Sequence, residues 1–291
     1  GAPTRPKKPP QTNRKMPPIL DNQALYERLK VRPFLIAGPC VIESESLVMQ
    51  VAERMSAWRE RYGEQMEFVF KASFDKANRT SVEGFRGGGM EAGLEILQRV
   101  RERFALPVLT DVHESAQVAQ VAAVVDIVQI PAFLCRQTDL LLAAGNAGKI
   151  VNIKKAQFLS PAEMRYPVEK VASTGNGKIL LTERGTMFGY NNLVVDYTGF
   201  AEMAKLGFPL VFDATHSVQK PGAAGGKSGG NREFAPILAR AAAAVGVRGF
   251  FVETHPEPEK ALSDGANMVY LDQMPTLIER LLQVAALVEG W

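Results

Sequence analysis

The sequence predicts a single (β/α)8 barrel of the TIM type, and three observations support this prediction. The chain has 291 residues, 46% hydrophobic and 22% charged, which is typical of a soluble globular protein with a large core. Short apolar runs alternate with longer stretches whose apolar residues recur at helical spacing. Most runs are continuously apolar, as in parallel strands buried on both faces. A doubly wound open sheet is the alternative, because strand number alone does not establish closure.

The predicted elements follow one another in a regular order. The eight predicted strands, each followed by polar or Gly/Pro residues, are residues 34–38, 67–73, 107–111, 127–131, 150–154, 179–183, 209–213 and 249–253. The eight predicted helices are residues 44–61, 90–103, 115–124, 138–147, 160–173, 197–206, 231–245 and 273–288. Alternation over about 250 residues is typical of one barrel. We therefore expect a single catalytic domain over residues 19–291.

Residues 1–18 differ in composition from the rest of the chain. They contain five basic residues, no acidic residue and several prolines, so we expect a disordered tail. The formal net charge is +3, but without this segment 29 basic and 31 acidic residues remain, which argues against a nucleic-acid partner. The segment lacks the apolar stretch of a signal peptide, and we expect no membrane segment. Two cysteines, Cys40 and Cys135, suit a reducing, cytoplasmic location.

Polar residues end every predicted strand, which is where barrel enzymes hold their active sites. Five of these residues, or close neighbours of them, are cations: Lys71, Lys76, Arg79, Lys154 and Arg184. A single such lysine is typical of a solvated surface. Five cations around one mouth would repel one another unless anions lie between them, so the pattern favours one or two highly anionic substrates.

Four residues are candidate metal ligands: Cys40, His216, Glu253 and Asp264. The first three follow the first, seventh and eighth predicted strands, which are neighbours in a closed barrel, and Asp264 lies in the next loop. A thiolate, an imidazole and two carboxylates suit Zn, Fe, Mn or Co better than Mg or Ca. Cys40 by itself is also typical of a small buried hydrophobic residue.

The glycine-rich segment after the seventh strand resembles the end of a phosphate-binding P-loop. However, position 221 is proline where that motif needs glycine, and several residues separate the segment from its strand. We therefore expect residues 219–232 to form a mobile lid over the mouth rather than a nucleotide site.

Nine segments carry a resemblance to a known family. In chain order they are IAGPCVIES, FKASFDKANRTS, TDVHE, QIPAFLCRQTDLL, NIKKAQF, TERGTMFGYNNLVVD, FDATHSVQ, SGGNREF and ETHPEPEKALSDG. Through them, residues 33–270 resemble the 3-deoxy-D-manno-octulosonate 8-phosphate synthase family. The resemblance implies a homotetrameric barrel that acts in lipopolysaccharide biosynthesis, or in plants in cell-wall synthesis. It also implies the reaction: C3 of phosphoenolpyruvate adds to the aldehyde of D-arabinose 5-phosphate, water attacks C2, and phosphate leaves by C–O cleavage.

The resemblance also implies roles for individual residues. The phosphoenolpyruvate-binding residues would be Lys71, Ser73, Lys76, Gln129, Lys154 and Arg184. The residues that bind the aldose phosphate would be Asn78, Arg79, Thr80 and, reaching into a neighbouring subunit, Arg136. The candidate catalytic residues within these sets and the metal set are Lys76, Asn78, His216 and Asp264. The family usually has Ser where Thr80 stands, and the hydroxyl is kept.

Two positions distinguish classes within this resemblance. Metal-free members carry Asn where this chain has Cys40, so the chain resembles the metal-dependent class with Cys40, His216, Glu253 and Asp264 as ligands. The sister enzyme, 3-deoxy-D-arabino-heptulosonate 7-phosphate synthase, takes erythrose 4-phosphate and typically reads Lys-Pro-Arg-Thr where this chain has Lys76 to Thr80. The additional Asn78 favours the longer, five-carbon sugar. A non-catalytic barrel that binds anionic metabolites is the alternative of a different class.

Overall fold

Eight parallel strands close into a barrel in the computed structural model, which describes residues 16–224 and 227–291. The barrel strands, numbered β1 to β8, are Phe34–Gly38, Glu67–Lys71, Val108–Asp111, Ile127–Ile130, Ile150–Lys154, Ile179–Glu183, Leu210–Asp213 and Gly249–His255. Each strand pairs with the next one, and β1 also pairs with β8, where Phe34 lies opposite Gly249. This last pairing closes the sheet. The predicted (β/α)8 barrel is therefore confirmed, and the open sheet is excluded.

Helices follow the strands and cover the outside of the barrel. The described residues form nine α-helices, α1 to α9, which are Asn22–Val31, Glu45–Tyr62, Met90–Phe104, Val118–Ala122, Thr138–Asn146, Arg165–Ala172, Thr198–Ala204, Ala235–Ala244 and Met274–Leu287. Helices α2 to α9 correspond to the eight predicted ones. Three predicted starts lie too early because α4, α6 and α8 each follow a 3-10 turn. The helix α2 begins as its sequence suggests, with the Ser44 side chain accepting from the Leu47 N–H.

The helix α1 lies outside the predicted pattern and closes the amino end of the barrel. Its apolar residues Leu25, Tyr26 and Leu29 pack against side chains that fill the barrel interior. The Tyr26 hydroxyl donates to the carbonyl oxygen of Ile179 at 3.1 Å, which attaches α1 to β6. The carboxyl end of the barrel is therefore its open mouth.

The pleat of the strands aims the polar residues at this mouth. The lower interior is filled by alternate strand residues, which are Phe34, Ile36, Val69, Leu109, Ile127, Ile150, Leu180, Val211 and Phe251. Two or four positions further along the same strands stand Lys71, Asp111, Gln129, Asn152, Lys154, Thr182, Arg184, Asp213 and Glu253. Because strand side chains alternate between faces, these polar groups point to the same side as the apolar layer below them.

Shorter elements surround the mouth. Gln219–Ala224 and Lys227–Gly230 pair antiparallel as a hairpin, and Gly225 and Gly226 between them lie outside the described residues. A hairpin differs from the strand–loop–helix of a P-loop, and the mobility of the lid stays a prediction. Val269–Tyr270 extends the sheet beside the end of β8. Residues 1–15 of the predicted tail also lie outside the described residues. Among the helices of the described chain, none is both long and apolar enough to span a membrane.

Candidate active site

A cavity of about 860 Å³ opens at the carboxyl end of the barrel. Its volume is in the range of small-molecule sites. All five predicted cations line it: Lys71, Lys76, Arg79, Lys154 and Arg184. Arg232, which the sequence prediction omits, adds a sixth positive charge from the segment after the hairpin. The arrangement can hold more than one anionic group at once.

Three of the predicted metal ligands, His216, Glu253 and Asp264, line one side of this cavity, and Cys40 lies buried beside them. Ligand atoms of Cys40, Glu253 and Asp264 all fall within 4.8 Å of one another. The Nε2 of His216 joins this group, 3.2 Å from Glu253 Oε1 and 3.6 Å from Asp264 Oδ2. The Cys40 Sγ is 3.3 Å from Asp264 Oδ2. The four donors therefore face one small volume.

The chemistry of these residues fits a divalent transition metal. The Oε2 of Glu253 is buried and has no hydrogen-bond partner among the described residues, so it is available as a ligand. Burial, together with the negative charge of Glu253, raises the pKa of the Cys40 thiol. A bound dication would offset both effects and favour the thiolate. Sulfur, nitrogen and oxygen donors in one site suit Zn, Fe, Mn or Co.

A second layer of contacts orients His216. Its Nδ1 lies 2.7 Å from Asp213 Oδ2, which leaves Nε2 facing the metal site. Lys154 Nζ donates to the same oxygen at 2.6 Å. Burial opposes a charged imidazole, but the Asp213 carboxylate outweighs it and raises the pKa of His216 to about 9. The negative potential that favours this proton would equally attract a metal ion.

The backbone around Cys40 requires a glycine. Gly38 ends β1, and a Cβ added there would lie 1.8 Å from the carbonyl oxygen of Lys71. Only glycine permits this approach. It brings the Cys40 loop next to Lys71, whose Nζ donates to the Cys40 carbonyl oxygen at 2.8 Å and lies 3.3 Å from Glu253 Oε1.

Arg184 and Lys76 face the cavity in their charged forms. The Nη2 of Arg184 donates to Gln219 Oε1 at 2.6 Å, while its buried Nε has no partner among the described residues. Burial disfavours the ammonium of Lys76, yet Cys40 when it is ionised and the nearby carboxylates of Glu253, Asp111 and Asp264 outweigh it and raise the pKa of Lys76. Both groups are therefore cations available to an anionic ligand.

Gln129 is oriented by a chain of buried amide and hydroxyl groups. Thr182 Oγ1 donates to Asn152 Oδ1 at 2.6 Å, and Asn152 Nδ2 donates to Gln129 Oε1 at 3.0 Å. The Nε2 of Gln129 is left as a donor at the cavity wall. Sequence prediction omits Asn152 and Thr182. Their shared face with Lys154 and Arg184 is the signal that identifies them.

Ser73 does not line the cavity itself but contacts Asp111, which does. Its hydroxyl donates to Asp111, whose other carboxylate oxygen lies 2.9 Å from His113 Nε2. Burial raises the pKa of Asp111, but His113 and the nearby lysines outweigh it and hold that pKa well below its ordinary value. Asp111 and His113 line the cavity, and Asp213 lies behind His216. Asp111 and Asp213 end β3 and β7, and His113 follows β3 by two residues, although sequence prediction assigns none of the three a role.

The predicted aldose-phosphate residues divide into two groups. Asn78, Arg79 and Thr80 line the outer cavity, and Asn78 and Thr80 are exposed. Arg79 Nη1 donates to Ser263 Oγ at 2.6 Å, beside Asp264. Arg136 is exposed and is absent from the described residues that line this cavity. This chain alone therefore does not bring Arg136 into its own site.

Comparison with known proteins gives one consistent result. Residues 29–289 match the DAHP synthetase I family. The 2-dehydro-3-deoxyphosphooctonate aldolase of Granulibacter bethesdensis is 60% identical over 252 residues, covering 86% of this chain and 89% of that protein. Proteins of the same name from Syntrophotalea carbinolica and a Cyanothece species are each 57% identical, over 256 and 254 residues, covering 88% and 87% of this chain and 92% of each relative.

Proposed function

This chain belongs to the DAHP synthetase I family, and we propose that it condenses phosphoenolpyruvate with D-arabinose 5-phosphate and water. The products are 3-deoxy-D-manno-octulosonate 8-phosphate and inorganic phosphate. This is the reaction of 2-dehydro-3-deoxyphosphooctonate aldolase, also called 3-deoxy-8-phosphooctulonate synthase, a transferase that forms a carbon–carbon bond. Its product is a precursor of lipopolysaccharide. The sister enzyme that uses erythrose 4-phosphate is not favoured, because relatives at 55–60% identity carry the octonate name.

One observation carries this function: six cations and a sulfur-containing donor set converge on a single cavity. Both substrates are phosphorylated anions that repel each other. Cations fixed before the substrates arrive can neutralise this repulsion without reorganising during the reaction. A cavity with neutral walls would instead suit an uncharged sugar.

The phosphoenolpyruvate site is assigned to the inner cations. Lys71, Ser73 and Lys76 hold the carboxylate, Ser73 acting through a hydroxyl that turns from Asp111 to the substrate. Lys154, Arg184 and Gln129 hold the phosphate, which accepts from the free Nε of Arg184 and from the Nε2 of Gln129. In this orientation C2, which carries both groups, lies between the residues that hold the carboxylate and those that hold the phosphate.

The aldose site is assigned to the outer wall. Asn78, Arg79 and Thr80 bind the sugar hydroxyls and phosphate, so the aldehyde end points inward. Its C1 then forms the new bond with C3 of phosphoenolpyruvate. Water supplies the oxygen added at C2; one of its protons goes to the former aldehyde oxygen, and the other leaves with phosphate, which departs with the bridging oxygen. Lys76, Asn78, His216 and Asp264 border the reacting atoms and are the proposed catalytic residues.

Cys40, His216, Glu253 and Asp264 would hold a divalent transition metal. When bound, such an ion supplies Lewis acidity at the aldehyde or at the attacking water. The protein orients these ligands through Asp213 on His216 and through the fit of the Cys40 loop against Lys71. Thiolate ligation is consistent with a reducing compartment, which supports a cytoplasmic location.

We propose a homotetramer in which Arg136 of one subunit reaches the aldose phosphate in the next. Large apolar side chains are exposed near that residue and elsewhere on the same end of the barrel, among them Phe133, Phe158, Phe188 and Tyr190. A self-complementary interface would cover such residues. Mixing two inactive variants, Arg136→Ala and Arg184→Ala, tests the arrangement. Regained activity in mixed oligomers would support a shared site. Mixed oligomers that stay inactive would contradict it.

The function is tested by measuring phosphate released from phosphoenolpyruvate with each aldose. We expect release to require arabinose 5-phosphate, with one phosphate per eight-carbon product. Faster turnover of erythrose 4-phosphate would assign the sister activity. Binding of phosphoenolpyruvate without release under either condition, in metal-loaded protein, would indicate a non-catalytic anion-binding barrel.

A further inference from the structure

Three of the proposed metal ligands have a close chain neighbour in a second cluster of contacts. Glu43 follows Cys40, His255 follows Glu253, and Leu262 precedes Asp264, each within three positions. The Oε1 of Glu43 accepts from the Leu262 N–H at 2.9 Å, and its Oε2 lies 3.4 Å from His255 Nε2. We call Glu43, His255 and the Leu262 N–H the clamp. It joins the segments that carry three ligands.

The two side chains of the clamp are largely shielded from solvent. The His255 side chain is 6% exposed and that of Glu43 is 14% exposed. His255 Nδ1 accepts from the Glu257 N–H at 2.9 Å, so its Nε2 carries the proton and donates toward Glu43. The Glu43 carboxylate therefore contacts two segments: one oxygen faces His255 at the end of β8, and the other accepts from Leu262 in the loop that follows.

The segment that the clamp holds needs external support. Asp264 has a φ of 51°, in the left-handed region that non-glycine residues seldom adopt. Such a conformation persists only when the surroundings determine it. Glu43 fixes the backbone two residues before Asp264, and Gln219 Nε2 donates to Asp264 Oδ1 at 2.9 Å. From the loop of Cys40, Glu43 holds the backbone of this segment, whereas the Cys40 Sγ contacts the side chains of Ser263 and Asp264 at 3.2 and 3.3 Å.

We infer that Glu43 is a positioning residue for the metal site, an inference that rests on the proposed metal centre. Its carboxylate fixes the loop of Asp264 relative to the loop of Cys40 and the end of β8. Without it, Asp264 can relax out of the left-handed conformation and move away from the Cys40 thiolate. The separation of the four donors would then vary, and the ion would leave more readily.

The test compares Glu43→Ala and Glu43→Gln with a matched control at the start of α2. Glu45 lies two residues later and is an exposed carboxylate that pairs with Arg99 at 2.7 Å on the outer helices, so Glu45→Ala removes a similar group away from the clamp. Each full-length protein is loaded with Co²⁺. The transfer of the ion to excess chelator and the thiolate-to-cobalt absorption band are then measured.

We expect Glu43→Ala to release the ion about 10–100-fold faster than the unmodified protein, the usual range for outer-shell changes. The thiolate band should also shift. The release rate of Glu43→Gln should lie between those of Glu43→Ala and the unmodified protein, because the Gln amide oxygen can still accept from the Leu262 N–H. Glu45→Ala should match the unmodified protein. If Glu43→Ala does not fold, the comparison of Glu43→Gln with Glu45→Gln decides the question.

The outcomes separate the two inferences. Release within twofold of the unmodified protein in the Glu43 variants, with an unshifted band, overturns the clamp and leaves the metal site standing. Equal acceleration in the Glu45 variant also overturns it, because the effect would then be general destabilisation. An unmodified protein that shows no stoichiometric Co²⁺ and no thiolate band overturns the metal centre, and the clamp with it.

Discussion

The carboxylate of Asp213 and the imidazole of His216 are joined by a hydrogen bond of 2.7 Å between Oδ2 and Nδ1. The same oxygen accepts from Lys154 Nζ at 2.6 Å. Asp213 is fully buried, so both interactions act away from bulk water. One carboxylate therefore links a proposed metal ligand to a proposed phosphate ligand, and a change there should affect both substrate binding and metal binding.

Asp213→Asn removes the charge of this link with little change in volume. We expect metal affinity to fall about 10–100-fold, because the orienting carboxylate of His216 is replaced by a neutral amide. The KM for phosphoenolpyruvate should rise as well, since Lys154 loses the negative charge that holds it in place. Metal titration and steady-state kinetics measure the two effects. Asp272→Asn, at an exposed partner of Arg54, is the control and should change neither. If Asp213→Asn changed only the metal affinity or only the KM for phosphoenolpyruvate, Asp213 would not couple metal binding to substrate binding.

Arg184→Lys tests the proposed contact between Arg184 and the phosphate of phosphoenolpyruvate. A planar guanidinium can donate two parallel hydrogen bonds to phosphate, whereas an ammonium is a point charge on a different stem. We expect kcat/KM for phosphoenolpyruvate to fall at least tenfold while the melting temperature stays close to that of the unmodified protein. Kinetics indistinguishable from the unmodified protein would remove Arg184 from the site.

Asn152 should act through Gln129 without touching substrate. Asn152→Leu leaves Gln129 Oε1 and the Thr182 hydroxyl without their present partner in a buried layer, at a cost of about 1–3 kcal/mol for each group. We expect lower stability together with a higher KM for phosphoenolpyruvate, because the Gln129 amide can rotate. Thr182→Val should also lose stability, but Asn152 can still donate to Gln129 in this variant. The KM of Thr182→Val for phosphoenolpyruvate should therefore change less. Equal KM values in both variants would refute the positioning role.

The barrel itself is predictable from the sequence because buried parallel strands produce continuous apolar runs. Six of the eight predicted strands begin within one residue of the observed start and end within one residue of the observed end; the second and eighth differ by two residues at their carboxyl ends. The helix α1 is harder to predict because only Leu25, Tyr26 and Leu29 are buried in a short, largely polar segment. Its role as a floor depends on the closed barrel that it covers.

The candidate site is predictable where function requires unusual residues at strand ends, as for Lys71, Arg184 and Cys40. Supporting residues are less visible. Asn152 and Thr182 resemble ordinary polar strand residues until the pleat is known. Glu43 and Leu262 lie 219 residues apart, and no local pattern reports their contact. Arg232 and Ser263 sit in loops whose paths depend on tertiary packing.

Asn78→Ala tests the choice of sugar. In the proposed arrangement Asn78 pairs with a hydroxyl that the four-carbon aldose lacks. Losing this contact should reduce the preference for arabinose 5-phosphate over erythrose 4-phosphate by about one to two decades, equivalent to about 1–3 kcal/mol. The ratio of the two kcat/KM values measures it. A ratio unchanged from the unmodified enzyme would show that selectivity resides elsewhere on the cavity wall.

Cys40 gives the sharpest test of the metal centre. If its thiolate is a ligand, a strong chelator should abolish activity, and Mn, Fe, Co or Zn should restore it to differing degrees. Cys40→Ala should lose bound metal while the barrel remains folded, because the change removes one ligand from a loop and leaves the strands intact. Full activity of the unmodified enzyme in excess chelator, with no bound transition metal, would refute the ligand assignment.

Cys40→Asn separates two roles for the ion. Asn is a poor ligand for a soft metal, yet metal-free members of the family that the sequence resembles carry it at this position. If the ion mainly positions groups, the amide can take over part of that role, and the variant should retain some chelator-resistant activity. If the ion supplies obligatory Lewis acidity, the variant should be inactive with or without metal. We expect residual activity, because Lys71, Arg184 and the other substrate-binding residues do not depend on the ion for their charge. Activity is assayed by phosphate release with and without chelator, alongside a metal analysis of the same sample.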